Sequence, residues 1–585
     1  MCSASYNLTE IQRRIDEVQR FLSITLSIAN AHTVEFYTHD AWNRFMAVPP
    51  QEVLSTVGSR NDQQREPEHK ANESEKTRTT FGFCNDTNRL VDTRELLQAA
   101  EAHSLPGLGV CMSRDELLRG LRGDRCESTA PVASTDAELV PDEFMNSKKS
   151  HEVKSMSEVV ASLAQCCGVK QVIDVGSGKG YLSSFLSLQY SLRVYGIDSS
   201  STNTHGAQER NRKLKKFSRA YQKCNKAARA QGEAAAPSPR KAPVDAEPGP
   251  DGDGAAVCGD GEPGLPSDGE PSAGRRPEWA AESEEELFLG ALSADVMRPP
   301  PRRAPPGGLS DEERQRRKRE NLERKARNGA AGAGVAFSPL TSYVTAETEL
   351  RELIDELEDA VVVGLHTCGD LAPSTLRMFV AKPELAAVCS VGCCYHLLTE
   401  EFDPARQEGA SGPRGFPLSR YLRDRSWFCG RNARMSACLA LERVSHGQGI
   451  QMESLFYRAV LHVILRDHYD CFRSEKRVGN VYSKCESFVD YVRRALRRLE
   501  LDESKLSDGE IQGYHHTYRP RMGEMQAFNM LKVTLAPCIE GLILLDRLCY
   551  LKEQADLSFT ALVQLFDPLL SPRCYAVVGL KRISP

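Results

Sequence analysis

The chain has 585 residues, 40% of them hydrophobic and 26% charged, which is enough apolar material for a sizeable core and too much for a wholly disordered chain. Its 75 basic and 80 acidic residues leave a net charge of -5, so no global basic excess or strong DNA signal is present, and nucleic-acid binding would have to come from local patches. The 19 cysteines form no CxxC pair, Met1 to Arg13 hold no hydrophobic signal core, and no apolar run approaches the ~20 residues of a membrane span. The expectation is an intracellular protein, cytoplasmic or nuclear, with free thiols and no membrane partner.

Residues 1–140 read as a helical region, with Ile11, Ile15, Val18, Leu22 and Leu26 near helical spacing and a Phe36, Tyr37, Trp42 cluster to pack on it. Arg60 to Arg78 is a polar loop, and the whole region reads as a cap on the next domain. Residues 141–200 change character. Glu152 to Cys167 forms a helix ended by Gly168, Val172 to Val175 a buried strand, Tyr181 to Tyr190 a helix and Leu192 to Asp198 the next strand. Residues 201–334 read as a mostly disordered insertion. It opens on a basic segment (Arg210, Arg212, Lys213, Lys215, Lys216, Arg219) and passes through a Gly, Pro, Ala and acid-rich tract. It closes on a charged run holding Arg316 to Arg319.

The strand-helix rhythm returns over residues 335–400. A strand is predicted at Ser342 to Ala346, a helix at Thr348 to Asp359, a strand at Ala360 to Leu365, a helix at Pro373 to Val380 and a strand at Leu385 to Val391. Residues 401–535 read as a helical insert beside the substrate. Residues 536–585 supply a helix with Pro537 at its first position, then strands at Ala561 to Phe566 and Tyr575 to Leu580.

The sharpest motif is Asp174-Val175-Gly176-Ser177-Gly178-Lys179-Gly180. A P-loop needs glycine where Ile173 stands and Ser or Thr where Gly180 stands, so that reading fails. A dinucleotide fingerprint places its third glycine one residue later, at Tyr181. Asp174 would repel a phosphate, but suits a cationic end such as the α-ammonium of S-adenosylmethionine, directly or through water. Asp198 closes the second strand where an acid accepts bonds from ribose hydroxyls. The competing reading is a plain glycine turn flanked by two solvated acids.

Val172 to Gly180 resembles motif I of class I methyltransferases. A wider set, comprising Lys148-Lys149-x-His151-Glu152, Asp174 to Gly180, Gly364 to Leu371, Cys393-Cys394-Tyr395-His396, and Asp567-Pro568 with Ser571-Pro572-Arg573, resembles the methyltransferase-like protein 25 family. The resemblance covers most of the chain outside the insertion. It implies an α/β, Rossmann-like class I methyltransferase with a seven-stranded sheet and S-adenosylmethionine as cofactor, held by Asp174, Gly176, Ser177, Gly178, Gly180 and Asp198. A looser likeness, to tRNA ribose 2'-O-methyltransferases, lies in the His-x-Cys-Gly strand end and the Cys-Cys-x-His pattern. His366-Thr367-Cys368-Gly369 stands where many adenine- or glutamine-methylating enzymes carry Asn-Pro-Pro-Tyr, which disfavours adenine N6 chemistry.

Ligands of an open α/β sheet lie beyond the carboxyl ends of its strands. His366 and Asp370 follow the fourth strand and His396 the fifth, so these three are the candidate bases. Lys148, Lys149, His151, Cys393, Cys394 and Tyr395 are candidate substrate contacts. The same histidines and cysteines admit two other readings, zinc ligation without the usual ligand spacing and plain core packing; no metal is assigned. The function expected is methyl transfer, with RNA preferred over protein as acceptor on the strength of the basic segments and the tRNA-enzyme likeness. The alternative is an inactive scaffold that keeps the fold.

Overall fold

The computed structural model describes residues 6–63, 81–122, 145–212, 214, 337–404, 413–441, 452–469, 478–479 and 481–582. Its strands are β1 (Cys111–Ser113), β2 (Gln171–Val175), β3 (Arg193–Asp198), β4 (Ser338–Thr341), β5 (Ala360–Thr367), β6 (Leu385–Gly392), β7 (Leu557–Gln564) and β8 (Tyr575–Lys581). They form one sheet in the order β1-β7-β8-β6-β5-β2-β3-β4. Every neighbouring pair is parallel except those of β8, which runs antiparallel to β6 and β7. The middle strands are buried on both faces, which is why β2 and β5 read as unbroken β-branched runs.

The chain leaves β2 toward one edge through β3 and β4, then returns to β5 on the other side of β2. The crevice at such a switch point is where open α/β sheets bind ligands. The glycine loop follows β2 and His366 lies near the end of β5, so both motifs flank that crevice.

The sheet has eight strands, not the seven expected. The extra one, β1, comes from the N-terminal region and pairs with β7. Three residues carry no readable alternation, and what they supply is a partner for an otherwise open edge. The strand expected at Ser342 to Ala346 lies earlier, at β4. Pro339 sits inside it, which is admissible because β4 is an edge strand. The helix expected over Thr348 to Asp359 shrinks to one turn, Leu350–Leu353, after which Ile354 is extended.

Helix α1 (Leu8–Asn30) buries Ile11, Ile15, Val18 and Leu22. Helix α2 (Ser147–Cys167) begins five residues earlier than the apolar pattern suggests. Asn146 caps it by accepting the Lys149 N–H at 2.8 Å, and Gly168 ends it at φ +68°. Helix α3 (Tyr181–Tyr190) follows the glycine loop. The first dozen residues assigned to the insertion, 201–212, are helical and belong to the core: Ala207 is fully buried and Asn211 Nδ2 donates to Phe337 O at 2.7 Å. Lys213, Lys215, Lys216, Arg219 and Arg316 to Arg319 lie outside the described residues.

Helix α4 (Leu371–Ala381) links β5 to β6, and helices α5 (Met452–His468), α6 (Phe488–Arg498) and α7 (Asp508–Tyr518) precede the long α8 (Met522–Lys552). Pro537 lies inside α8, not at its start. The helix runs straight across the 535/536 boundary because it is buried nearly all round, and that packing outweighs the hydrogen bond Pro537 cannot make. Its window of mean hydropathy 1.5 would suffice in length and composition to cross a membrane, yet 89% of that window is buried in the protein. The N-terminal region packs on α8: Lys532 Nζ donates to Ala31 O, and Cys538 Sγ lies 3.1 Å from Ala100 O.

Candidate active site

The glycine loop turns through three left-handed glycines, Gly176 (φ +73°), Gly178 (φ +56°) and Gly180 (φ +72°). Such values cost an L-residue roughly 1–2 kcal/mol. Gly180 is additionally required by space, since a Cβ there would lie 2.2 Å from the Phe337 ring. At Gly178 a Cβ would meet nothing within 4 Å, so the loop tip borders open space.

Four of the loop's backbone donors are already engaged. Gly176 N–H and Ser177 N–H both donate to Ile197 O, at 2.8 and 3.2 Å. Gly178 N–H donates to Asp198 Oδ2 at 3.0 Å, and Gly180 N–H to Ser177 O at 2.9 Å. A phosphate cradle needs these groups free, so the geometry agrees with the failure of the P-loop pattern. Ser177 turns its hydroxyl toward Gly196 of β3.

Asp198 Oδ1 accepts from Ser200 N–H at 2.7 Å and from Asn203 Nδ2 at 3.2 Å. With Gly178 that fills three of the roughly four acceptor positions of a carboxylate, and one remains for a hydroxyl. Asp174 is placed differently from its expected role. It is 1% exposed and lies beneath the loop, where Ser183 Oγ donates to Oδ2 at 2.5 Å. Burial pushes its carboxyl up to about 7, against the lowering effect of Ser183. Direct contact with a ligand's ammonium is therefore closed, and Asp174 supports the loop from below.

Across the crevice, β5 bulges between Leu365 and Thr367, and His366 takes φ +65°. That strain turns the imidazole onto α2, where Nε2 meets Glu152 Oε1 at 2.9 Å. Glu152 is 1% exposed. Ser571 Oγ also donates to Oε1, at 2.7 Å, and Lys149 Nζ stands 3.6 Å from Oε2. Burial raises the Glu152 carboxyl, but the bonds from His366 and Ser571 and the charges of His366 and Lys149 outweigh it and bring it down to about 2. Glu152 is thus an ionised, buried acceptor. Its bond to His366 requires a proton on Nε2, so Nδ1 is the ring nitrogen left to meet a ligand.

The other expected site residues are distributed unevenly. His151 Nε2 accepts the Asp567 N–H at 3.0 Å, tying α2 to the loop before β8, while Lys148 stands half-buried on the first turn of α2. Asp370 is not placed as a base. Its two oxygens accept the Thr399 N–H and hydroxyl at 2.9 and 2.7 Å, anchoring the 395–400 turn. His396 is 5% exposed, with Nδ1 3.6 Å from Cys438 Sγ, so it too is withdrawn from the crevice. Tyr395 is fully enclosed and donates to Glu540 Oε1 of α8 at 2.7 Å, which excludes it as a substrate contact. Cys393 and Cys394 turn toward Cys368, at 3.0 and 3.3 Å.

Sequence reasoning missed the roles of Glu152, Ser571, Cys368, Glu540 and Arg573. All but Glu540 stood inside quoted motifs, and the i,i+3 spacing of Lys149 and Glu152 was the available signal for a shared helix face. Glu540 and Arg573 pair at 3.0 Å in the interior, and Arg573 also donates to Ala437 O and Leu439 O at 2.7 and 3.1 Å. This network fixes the loop that carries Ser571.

A family model described as a methyltransferase domain matches residues 148–401, the span from the start of α2 to the turn after β6. A protein of Mus musculus named probable methyltransferase-like protein 25 is 46% identical over 592 residues, covering 98% of this chain and 97% of the relative. Its Homo sapiens namesake is 44% identical over 603 residues, covering 98% of each. No solved structure matches. The glycine-loop sheet, the domain match and this near-full-length identity together make the chain a member of the methyltransferase-like protein 25 family, built around a class I methyltransferase domain.

Proposed function

We propose that the chain binds S-adenosylmethionine at the β2–β3 end of the crevice and methylates an RNA acceptor presented to His366. The observation that carries this reading is the pairing of two features across one switch point: an open-tipped, left-handed glycine loop bonded to Asp198, and an imidazole oriented by a buried carboxylate. The cofactor supplies a methyl group on a positively charged sulfur. Gly178 leaves room for it, and Asp198 offers the remaining acceptor position to a ribose hydroxyl. Ionised Glu152 holds Nε2–H, so that His366 Nδ1 takes a proton from the acceptor group as that group attacks. Alignment of the acceptor supplies the rest of the rate.

RNA is favoured over protein by the basic residues beside the loop. Arg210 stacks over the Tyr181 ring at 3.7 Å, directly after Gly180, and Arg212 is largely exposed at the same helix end. The test incubates the purified chain with labelled S-adenosylmethionine and fractionated cellular RNA and protein, beside Asp198→Ala and His366→Ala. Label should enter RNA. Asp198→Ala should weaken cofactor binding about 10- to 100-fold, the loss of a hydrogen bond to a charged group. His366→Ala should lower turnover roughly 10²- to 10⁴-fold with cofactor binding unchanged. Label entering protein alone overturns the RNA acceptor, and cofactor binding without transfer to any fraction overturns catalysis.

A further inference from the structure

Beside the crevice, the ends of β5 and β6 bring three cysteines from two separate loops together. Cys368 Sγ lies 3.0 Å from Cys393 Sγ and 3.3 Å from Cys394 Sγ, and the last two are 3.5 Å apart. The sulfurs form a nearly equilateral triangle and are close enough to share one ion. We propose that this triangle is a zinc(II) site that clamps the ends of β5 and β6.

The size of the triangle selects the geometry. An ion at about 2.3 Å from each sulfur, the zinc–thiolate length, sits roughly 1.3 Å above the plane of the three. It cannot lie within the plane, as a trigonal three-coordinate ion would. A tripod of this shape belongs to a tetrahedral centre with its apex on one side. Spreading the sulfurs to the roughly 3.8 Å of an ideal zinc tetrahedron needs shifts of well under 1 Å. Cys438 and His396 stand together next to the trio: Cys438 Sγ is 3.5 Å from Cys393 O and 3.6 Å from His396 Nδ1. Neither lies within 4.8 Å of all three sulfurs, so one of them would have to shift to reach the apex.

A second, independent observation points to an anionic centre here. Arg547 of α8 is 2% exposed and makes no hydrogen bond or ion pair with any described residue; its Nε is buried without a partner. Its one described aromatic contact is the Tyr395 ring, 5.6 Å away. A buried guanidinium without an anion costs several kcal/mol. A Cβ built on Gly392 would lie 2.5 Å from Arg547 Nη1, so the cation abuts the residue just before Cys393. On binding, zinc displaces the three thiol protons to solvent, and the resulting Zn(Cys)₃ unit carries one net negative charge next to Arg547. The site adds an anion beside Arg547, whose charge Asp546 and Asp370 offset only from a distance, and its ion ties Cys368 to Cys393 and Cys394 across two strand ends.

The proposal does not depend on methyl transfer, so its test is metal content. The full chain, purified in reducing buffer with zinc present in the growth medium, is analysed by elemental mass spectrometry and native mass spectrometry. Apo protein is then titrated with cobalt(II), whose tetrahedral thiolate complexes have intense visible absorption. The expected result is about one zinc per chain, the cobalt bands on titration, and loss of both in Cys368→Ser and in Cys393→Ser/Cys394→Ser. Cys485→Ser, on the turn before α6 with its Sγ on Tyr482 O, should keep both. Wild-type chain that is folded by circular dichroism yet takes up neither zinc nor cobalt overturns the proposal, and this readout needs no variant to fold. Zinc retained in the Cys393→Ser/Cys394→Ser variant, or uptake of copper(I) alone, overturns it equally.

Discussion

Replacing Glu152 by Gln tests the carboxylate on which the His366 orientation depends. The carboxyl is brought from 4.5 to about 2, roughly 2.5 units, and at 1.36 kcal/mol per unit its charge contributes about 3 kcal/mol to the folded state at neutral pH. Gln keeps the shape and an acceptor for Ser571, so the loss measures the charge rather than a cavity. The folded-state value is depressed, so the contribution is complete above pH ~4.5, falls to about 1.4 kcal/mol at pH 3, and vanishes near pH 2. Thermal unfolding of wild type and Glu152→Gln across pH 7 to 3 reads this directly. At pH 7 the variant should melt about 4 °C lower, since ~2.1 cal/mol/K per residue over roughly 390 described residues gives ~1.2 °C per kcal/mol, and the gap should halve by pH 3. An equal gap at both ends, or none at pH 7, refutes the reasoning.

Gly180→Ala should destabilise by about 2–4 kcal/mol, from its left-handed backbone and the clash with Phe337; Gly178→Ala, which meets no neighbour, should cost only ~1 kcal/mol of stability while weakening cofactor binding in calorimetry. Glu540→Ala leaves Arg573 buried without its carboxylate and should cost roughly 3–5 kcal/mol in denaturant unfolding. Asp174 titrates in the opposite sense to Glu152. Its folded value is raised from 3.8 to about 7, so stability present below pH ~4 is lost as pH rises through 7. Asp174→Asn should flatten the melting profile between pH 4 and pH 8, and an unchanged slope would show that Asp174 does not titrate there.

The strands in the middle of the sheet were legible because burial on both faces leaves them as unbroken apolar runs. β2, β3, β5 and β6 lie within a residue or two of their expected bounds. The glycine loop was legible because each of its glycines answers a local backbone demand. Edge elements were not. β4 carries a proline and β1 has three residues, and both exist because a neighbouring strand offers an open ladder. Pro537 illustrates the same limit. Locally it reads as a helix start, and only the surrounding apolar packing carries α8 through it.

What the sequence determines by itself is the periodic part, since strand, turn and helix are set by residues within one or two turns of one another: the α/β order, the loop and the acid closing β3. The tertiary structure decides which polar residues meet. Glu152 reaches His366 and Ser571 across more than two hundred and four hundred positions, while Asp370, His396 and Tyr395 are drawn into anchoring and core contacts. Which of two equally ionisable side chains faces the crevice depends on a bulge and on one buried helix, and neither is encoded in local spacing.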